Sequence, residues 1–533
     1  MTRPAARPVV PDVDLTPDAI EAGSLVGRPV LVLGLARTGL ALARFLHDRG
    51  ADVTVYDRKH ASELTSAIEA LEGRSVRLAL GPEVDVAGLA SGASLICFSP
   101  SANPAFPTAD ETLRAALAPH LARDADGAVD LAPCVSEPDL FLRLCRVPTV
   151  GVTGTKGKTT TSSLAAALLG ADPVHPVTLG GNIGSPLVEW ALELDPDARV
   201  VLELSELQLP ALSRGTTVAA YTNVTSDHLD RHGSLPAYRA VKRRLAELVD
   251  PDGALVLNLD DPVVASYGAL GTAPSVLYRL ERPTPGGLGV VDGWIVAAGT
   301  ERLPLAGGGR AVTGPAGRIM PVNELAIPGR HNVSNALAAI AVALLFGVAP
   351  DAIRRAAAGF RGVEHRLETV AVVDGVRFVN DSQGTQPDAV AAALRSFERP
   401  IVLIAGGRDK GVDLTALGPV VAERAAAAVL IGESGPTLAS LFRAAGLRRV
   451  ERAATLDEAV ATADAVAREA LAAHEGRPGA LATVLLSPAA ASFDMFVDYE
   501  ARGRAFKAAV RALAAAAAAE VAARAAARPA RGS

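Results

Sequence analysis

The stretch TGTKGKTTT at residues 153–161 restricts the possible folds of this chain more than any other sequence feature. It lies between TVGVT, an apolar run typical of a buried strand, and SSLAAALL, which is typical of a helix. Glycines in such a loop let backbone amides crowd around phosphate oxygens, and the helix N-terminus favours an anion. Lys158 would reach the β- and γ-phosphates of a nucleotide, and the Thr159 hydroxyl would hold Mg²⁺.

This loop is a variant form, because the strict phosphate-loop pattern would place a glycine at Val152. A glycine-rich turn that binds no nucleotide is the alternative. We predict an ATP-binding loop formed by Gly154, Thr155, Lys156, Gly157, Lys158, Thr159 and Thr160.

A second glycine turn lies near the N-terminus, in RPVLVLGLARTG at 28–39. Gly34, Ala36 and Gly39 open a helical stretch, and Asp57 ends the next strand-like run, 23 residues after Gly34. This is the spacing of a dinucleotide fingerprint, in which helix amides face phosphate and the acid faces a ribose. A close strand-to-helix turn without a ligand is the alternative.

Length and composition limit the class of protein. At roughly 100–200 residues per domain, 533 residues indicate about three domains. The net charge of -6, from 52 basic and 58 acidic residues, argues against a nucleic-acid partner. Three scattered cysteines fit neither a disulfide framework nor a zinc cluster, and they indicate a reducing cytoplasm. We find no signal peptide or membrane-spanning run, so we expect no membrane partner.

Strand-like runs alternate with helical stretches in three regions, which predicts an α/β fold of three domains. A Rossmann-like N-terminal domain is expected at 1–136, and a central phosphate-loop ATPase domain with a parallel sheet at 137–362. A Rossmann-like α/β domain is expected at 363–533, ending in an alanine-rich helical tail. Pro- and Gly-rich stretches within 282–318 predict hairpins or loops of the central domain.

Three polar residues of the central region are candidates for metal chemistry. Glu203 lies among apolar neighbours on a predicted strand, where a carboxylate needs a partner such as Mg²⁺. His228 follows another strand-like run, and Lys242 lies 14 residues later on a predicted helix. From the residues alone, a structural histidine and a solvated lysine are the more common outcomes.

Two further segments are short and ambiguous by themselves. Gly180–Gly184 reads GGNIG, which is also a tight turn. Asn332 and Asn335 are three residues apart and share one helix face, from which side-chain amides could bind an adenine edge. A helix cap is the alternative for this pair.

Together with EHR at 364–366, VNDSQGTQ at 379–386, GGRDK at 406–410 and LSPAAASFD at 486–494, these segments resemble the Mur ligase family of ATP-dependent amide-bond ligases, in order over about residues 28–510. The resemblance implies that Thr159, Glu203, His228 and a carbamylated Lys242 contact two Mg²⁺ ions. It makes Lys158, Glu203, His228 and Lys242 the catalytic set. The family pattern here is E-x-S-S-F-Q, and the chain reads ELSELQ, with Glu206 and Leu207 in place of the usual Ser and aromatic residue.

The resemblance also assigns the remaining site residues. It implies that ATP contacts Asn332, Asn335, Arg366 and Asp381. It implies that the UDP-linked substrate contacts Arg37, Thr38, Asp57, Arg58 and Asn182, with its uridine diphosphate end at the N-terminal glycine turn and Asp57. It implies that glutamate contacts Thr385, Lys410, Ser492 and Tyr499. Gln383 and Gln386 replace the family's usual Lys and Asn.

The implied activity joins UDP-N-acetylmuramoyl-L-alanine to D-glutamate through an acyl phosphate, with ATP and Mg²⁺, in a monomeric cytoplasmic enzyme of cell-wall precursor synthesis. The sibling activity, which adds L-glutamate to the same substrate, stays open, and a folate-type ligase would leave the N-terminal glycine turn without a role. A nicotinamide-dependent oxidoreductase would leave the phosphate loop unexplained. A non-catalytic ATP-binding protein would not need Glu203, His228 and Lys242 together.

Overall fold

A computed structural model describes residues 13–99, 110–126, 131–225, 232–299, 317–327, 329–408, 414–473 and 480–526. Side chains are not described for 121–126, 388 and 520–526. The chain divides into two compact units, Met1–Phe360 and Arg361–Ser533. Helices alternate with largely parallel sheets in both units, which confirms the predicted α/β class.

The first unit begins with a five-stranded parallel sheet in the order β3-β2-β1-β4-β5. Its strand order reverses beside the central strand β1, and in such sheets ligands bind outside the carboxyl ends of the strands at this point. The strands are β1 Pro29–Leu33, β2 Asp52–Asp57, β3 Arg77–Leu80, β4 Leu95–Phe98 and β5 Cys134–Ser136. The helices are α1 Pro17–Glu21, α2 Arg37–Asp48, α3 Thr65–Glu69, α4 Val86–Gly92 and α5 Glu111–Asp126.

The second sheet of this unit has nine strands in the order β14-β13-β12-β11-β10-β9-β6-β8-β7. In this spatial order, all neighbouring strands from β7 through β6 to β12 pair in parallel. Strands β13 and β14 are added in antiparallel pairing. The strands are β6 Thr149–Thr153, β7 Val177–Gly181, β8 Arg199–Glu203, β9 Val218–Tyr221, β10 Ala254–Asn258, β11 Ser275–Tyr278, β12 Leu288–Val291, β13 Trp294–Ala297 and β14 Arg318–Pro321.

Six helices accompany the nine-stranded sheet among the described residues: α6 Glu137–Leu144, α7 Lys158–Leu169, α8 Leu235–Leu248, α9 Pro262–Ser266, α10 Arg330–Leu345 and α11 Pro350–Gly359. Helices α7 and α10 belong to one apolar cluster with the central strands. Five of the eleven buried residues of α10 are alanines, and such small side chains allow a neighbouring helix to pack closely. The antiparallel pair β12–β13 is one of the hairpins expected within 282–318.

The second unit contains a six-stranded sheet in the order β15-β16-β20-β17-β18-β19, in which only the β15–β16 pair is antiparallel. Its strands are β15 Glu368–Val373, β16 Val376–Asn380, β17 Ile401–Gly406, β18 Ala427–Ile431, β19 Val450–Arg452 and β20 Ala482–Leu486. Its helices are α12 Pro387–Arg395, α13 Leu417–Arg424, α14 Gly435–Ala444, α15 Leu456–Ala472 and α16 Tyr499–Ala526.

The alanine-rich end of the chain is helical as expected, but its first part is not a free tail. Phe506 and Val510 of α16 are fully buried against the sheet of the second unit. In the part of the chain that the structure describes, no helix combines the length and apolar character needed to cross a bilayer.

Candidate active site

The phosphate loop follows β6 directly and leads into α7, in the strand–loop–helix context that the sequence predicts. Gly154 and Gly157 have positive φ angles of 149° and 86°. A Cβ atom at Gly154 would lie 2.0 Å from Thr222 Oγ1, and one at Gly157 would lie 2.4 Å from Asn335 Oδ1. Both glycines are therefore required by backbone conformation and by close neighbours.

Thr222 and Asn223, the first two residues after β9, hold the loop in shape. The Thr155 amide donates to the Asn223 carbonyl at 2.7 Å, and the Lys156 amide donates to Asn223 Oδ1 at 2.9 Å. The Thr222 hydroxyl donates to the Lys156 carbonyl at 2.6 Å. Sequence reasoning missed Thr222 and Asn223, although both directly follow a predicted strand beside the loop, which is a usable signal.

Lys158 and Thr159 open α7 at the end of this loop. Lys158 Nζ donates to the Thr155 carbonyl at 3.0 Å, so its side chain folds back along the loop where phosphates are expected. Thr159 is buried, and Thr160 beside it is half-buried. The arrangement provides a cation and a hydroxyl next to a helix N-terminus, which suits a polyphosphate with its metal ion.

Glu203 ends β8, in register with Val152 on β6. Its side chain is 2% exposed. Oε1 accepts a hydrogen bond from Asn182 Nδ2 at 2.7 Å, whereas Oε2 is buried and has no partner among the described residues. A buried carboxylate oxygen without a donor is unfavourable unless a cation neutralises it, so this position fits a Mg²⁺ ligand.

Lys242 lies on α8 and is fully buried, which rules out the solvated helix position that spacing alone would favour. Nζ donates to Thr153 Oγ1 at 3.3 Å and lies 5.7 Å from the centre of the Tyr238 ring. The Tyr238 hydroxyl lies 3.0 Å from Thr155 Oγ1. Tyr238, which sequence reasoning did not assign, therefore links the buried lysine to the phosphate loop.

The asparagine pair begins α10. Asn335 is buried and donates from Nδ2 to Asn332 Oδ1 at 3.2 Å, with its own Oδ1 close to Gly157. The structure thus brings Asn332 and Asn335 to the phosphate loop. His228 lies in 226–231, outside the described residues.

Four of the five residues expected to bind the UDP-linked substrate lie at the glycine turn of the first sheet. Both Asp57 oxygens accept backbone amides: Oδ2 from Leu35 at 2.8 Å and Oδ1 from Lys59 at 3.0 Å. Arg37 is exposed in the first turn of α2, next to the half-buried Thr38. Arg58 is exposed and forms an ion pair of 3.1 Å with Asp110. Asn182 lies elsewhere, beside Glu203 on the nine-stranded sheet.

The second unit places Asp381 directly after β16. Its Oδ1 accepts the Leu367 amide at 3.2 Å and its Oδ2 accepts the Ser487 hydroxyl at 2.7 Å. Burial raises the pKa of Asp381 to about 6, although the charge of exposed Arg366 lowers it. Arg366 lies between His365 and Leu367, whose φ angles of 64° and 46° are positive.

A buried arginine organises the loops of this unit. Arg502 is 1% exposed and donates to the Ser382 hydroxyl at 3.0 Å, the Ser382 carbonyl at 2.9 Å and the Ala491 carbonyl at 3.1 Å. It ties the loop after β16 to the loop after β20, and burial lowers its pKa to about 10. The sequence offered only an Arg-Gly pair near the last motif as a signal.

Three of the four residues expected to contact glutamate lie around these two loops. Ser492 is buried directly after Ala491, and half-buried Thr385 follows the loop that carries Asp381. Tyr499 begins α16, where its carbonyl accepts the Ser382 hydroxyl at 2.7 Å. Lys410 lies in 409–413, outside the described residues.

Comparison with known proteins agrees with this architecture. Residues 152–343 match the Mur ligase middle domain, and residues 365–489 match the Mur ligase glutamate ligase domain. UDP-N-acetylmuramoylalanine--D-glutamate ligase of Pelotomaculum thermopropionicum is 38% identical over 91% of this chain and 98% of its own length. The enzyme of the same name from Symbiobacterium thermophilum is 38% identical over 92% of this chain and 100% of its own length.

A solved structure shows the same fold. UDP-N-acetylmuramate-alanine ligase from Thermotoga maritima is 19% identical, with a TM-score of 0.50 over 91% of this chain and 99% of its own. The phosphate loop, the half-partnered carboxylate and the buried lysine lie within the matched middle domain. With identity to curated relatives along almost its whole length, the chain belongs to the Mur ligase family.

Proposed function

We propose that this protein is an ATP-dependent ligase that forms the amide bond between UDP-N-acetylmuramoyl-L-alanine and D-glutamate. The observation that carries the proposal is that relatives named for this activity are 38% identical over nearly the full length of the chain. The reaction would supply a precursor of peptidoglycan. We infer that it takes place in the cytoplasm, where its nucleotide-linked substrate and ATP are available, and that the enzyme works as a monomer.

The phosphate loop is the proposed ATP site. Its amides, Lys158 and the α7 N-terminus would bind the phosphates, because they concentrate positive potential at one place. Asn332 and Asn335 would contact the adenine from α10, which is supported by the closeness of Asn335 to Gly157. Arg366 and Asp381 are proposed as further ATP contacts from the C-terminal domain.

Thr159, Glu203, His228 and Lys242 are the proposed Mg²⁺ ligands, for two ions. The partnerless Oε2 of Glu203 supports this assignment. Lys242 would serve as a carbamate, because full burial favours the neutral amine that reacts with CO₂. When bound, Mg²⁺ would neutralise the charge between ATP and the substrate carboxylate, two anions that otherwise repel each other.

The other ends of the substrates are assigned by position. Arg37, Thr38, Asp57 and Arg58 are the proposed contacts of the uridine diphosphate end, at the carboxyl edge of the first sheet. Asn182 is the proposed contact at the reacting end of the same substrate, because it donates to Glu203. Thr385, Lys410, Ser492 and Tyr499 are the proposed glutamate contacts. We retain three domains, at 1–136, 137–362 and 363–533.

The chemistry proceeds in two steps. The terminal carboxylate of UDP-N-acetylmuramoyl-L-alanine attacks the γ-phosphorus of ATP, which gives an acyl phosphate and ADP. The glutamate amine then attacks the acyl carbon, loses a proton and expels inorganic phosphate. Lys158 would stabilise the charge that develops on the transferred phosphoryl group. Water has to be excluded from the acyl phosphate, because hydrolysis would waste the ATP.

The decisive experiment measures phosphate release from ATP in the presence of Mg²⁺ and UDP-N-acetylmuramoyl-L-alanine, with D-glutamate and L-glutamate in parallel reactions. Mass spectrometry then identifies the product. Turnover with D-glutamate alone is expected. Turnover with L-glutamate alone would retain the family and the mechanism but overturn the stereochemistry, which Gln383 and Gln386 would then help to explain. Absence of glutamate-dependent turnover with either isomer would overturn the proposed substrate pair.

A further inference from the structure

Helix α6 connects the five-stranded sheet to the nine-stranded sheet and carries two buried carboxylates in its first turn. Glu137 is 3% exposed and Asp139 is 2% exposed. Buried carboxylates are rare unless their oxygens accept hydrogen bonds, so the partners of these two residues reveal what α6 holds.

The two carboxylates bind different parts of the nine-stranded region. Glu137 Oε1 accepts the backbone amides of Leu187 at 2.9 Å and Val188 at 3.0 Å. Asp139 Oδ1 accepts the amide of Ser213 at 2.6 Å and its hydroxyl at 2.8 Å. Each carboxylate therefore ties α6 to a separate segment, Glu137 to residues 187–188 and Asp139 to Ser213.

Leu187 packs against the GGNIG turn. A Cβ atom at Gly180 would lie 2.5 Å from Leu187 Cδ2, so the Leu187 side chain fills the space that glycine leaves. Two residues further on, Asn182 donates its amide to the Glu203 carbonyl at 2.9 Å and its side chain to Glu203 Oε1 at 2.7 Å. The position of Leu187 thus bears on the position of the proposed metal ligand.

The pKa of Glu137 also depends on a charged residue beside the first sheet. Burial raises its pKa to about 7, while the charge of Arg37 lowers it and that of Glu189 raises it further. Arg37 belongs to the glycine turn proposed to bind the uridine diphosphate end. Glu137 directly follows β5 of the first sheet and accepts two amides beside the GGNIG turn, so this residue connects the two regions.

We infer that Glu137, which directly follows β5 of the first sheet, is a positioning residue. It holds the GGNIG turn, and through it Asn182 and Glu203, at a fixed place relative to the glycine turn of that sheet. The inference rests on the proposed function, since it requires one substrate to span both turns. Glu137 would match the distance between the two turns to the length of that substrate. The substrate carboxylate would then lie beside Glu203 when the uridine end is bound.

The test compares three Glu137 variants with a matched control in the full-length enzyme. Glu137→Ala removes the acceptor, Glu137→Asp keeps the charge but is one methylene too short, and Glu137→Gln keeps an oxygen at the same reach. Asp139→Ala is the control, because it removes an equally buried carboxylate from the same helix turn. Melting temperatures identify the assay temperatures at which all the variants are folded.

We expect Glu137→Ala and Glu137→Asp to raise KM for UDP-N-acetylmuramoyl-L-alanine by about tenfold, as for loss of a charged hydrogen bond. KM for ATP and the Kd for UDP alone should not change, because each turn remains intact by itself. Glu137→Gln should stay close to wild type. Equal effects in Asp139→Ala, or a wild-type KM in Glu137→Ala, would overturn the inference.

Hydrogen exchange keeps this test separate from the proposed function. Amides of peptide 185–190 should exchange faster in Glu137→Ala and not in Asp139→Ala, whatever the enzyme's substrate is. Wild-type exchange there would overturn the positioning role even if the ligase activity is established. The wild-type protein could lack glutamate-dependent turnover while peptide 185–190 exchanges faster in Glu137→Ala than in wild type. The proposed function would then be wrong, and the role of Glu137 in supporting the turn would be confirmed.

Discussion

The two glycine turns of the first unit look alike in sequence, but the acidic residues beside them differ in their hydrogen-bond partners. At the turn after β1, both oxygens of Asp57 accept backbone amides of the turn itself. Beside the phosphate loop, one oxygen of Glu203 is satisfied by Asn182 and the other is buried without a partner among the described residues. The carboxylate of the first turn is satisfied by the turn itself, whereas the described residues leave one oxygen of the second carboxylate without a donor, which favours a bound cation.

The largest effect should come from Glu203→Gln. The amide keeps an oxygen that can accept from Asn182 but cannot neutralise a metal ion, so kcat should fall by about 10³-fold. The melting temperature without ATP and Mg²⁺ should be unchanged or higher, because a buried charge is removed. Steady-state kinetics and thermal unfolding check both; activity within a few-fold of wild type would contradict the difference between the turns.

Gly157→Ala should be the next most harmful change. Its Cβ would lie 2.4 Å from Asn335 Oδ1 at a φ of 86°, so the loop has to shift and ATP should bind at least about tenfold more weakly. Gly271→Ala is the control, since its φ of 66° is equally unusual but no atom lies within 4 Å. Calorimetric titration with a non-hydrolysable ATP analogue separates them; equal losses in both variants would make strain, not contact, the cause.

Asp381 is a third acid, with a partner on each oxygen but an elevated pKa of about 6. The unfolded chain loses this proton near pH 4, so ionising the buried group reduces stability as the pH rises from about 4 to 6. Asp381→Asn should therefore match wild type near pH 4 and be more stable by about 2 kcal/mol above pH 7. Urea unfolding across this range tests it; a stabilisation that is greatest in acid would contradict the assignment.

The smallest effect should come from Asp57→Ala. Loss of two hydrogen bonds to backbone amides should lower the free energy of unfolding by about 1–2 kcal/mol and leave ATP affinity unchanged. Urea unfolding and titration with UDP measure the two roles of the carboxylate. If stability is unchanged while UDP binding is lost, Asp57 serves a ligand and the two turns differ less than their contacts indicate.

Local patterns made much of the fold predictable. The phosphate loop and the N-terminal glycine turn each depend on a strand, a few glycines and a helix within one short stretch, and both are present as expected. The α/β class follows from the same alternation of strands and helices. By contrast, the extent to which α16 packs on the sheet depends on Phe506 and Val510 meeting distant strands, which an alanine-rich stretch does not reveal.

The parts of the site that could not be predicted depend on contacts between distant residues. Asn223 is 67 positions from Lys156, yet it binds that residue's amide. Lys242 belongs to a helix rich in charge, and only its approach to Thr153, 89 positions away, shows that it is buried. Periodicity describes one helix at a time, so it cannot say which face meets a neighbouring strand.

Arg502 couples the opening of two loops that are far apart in the chain. Its guanidinium contacts Ser382 on one side and Ala490 and Ala491 on the other, across 120 and 12 positions of sequence. A fluctuation that frees either loop has to break bonds that also hold the other, so local opening of this edge is cooperative. A ligand that binds one of these loops therefore slows the opening of both.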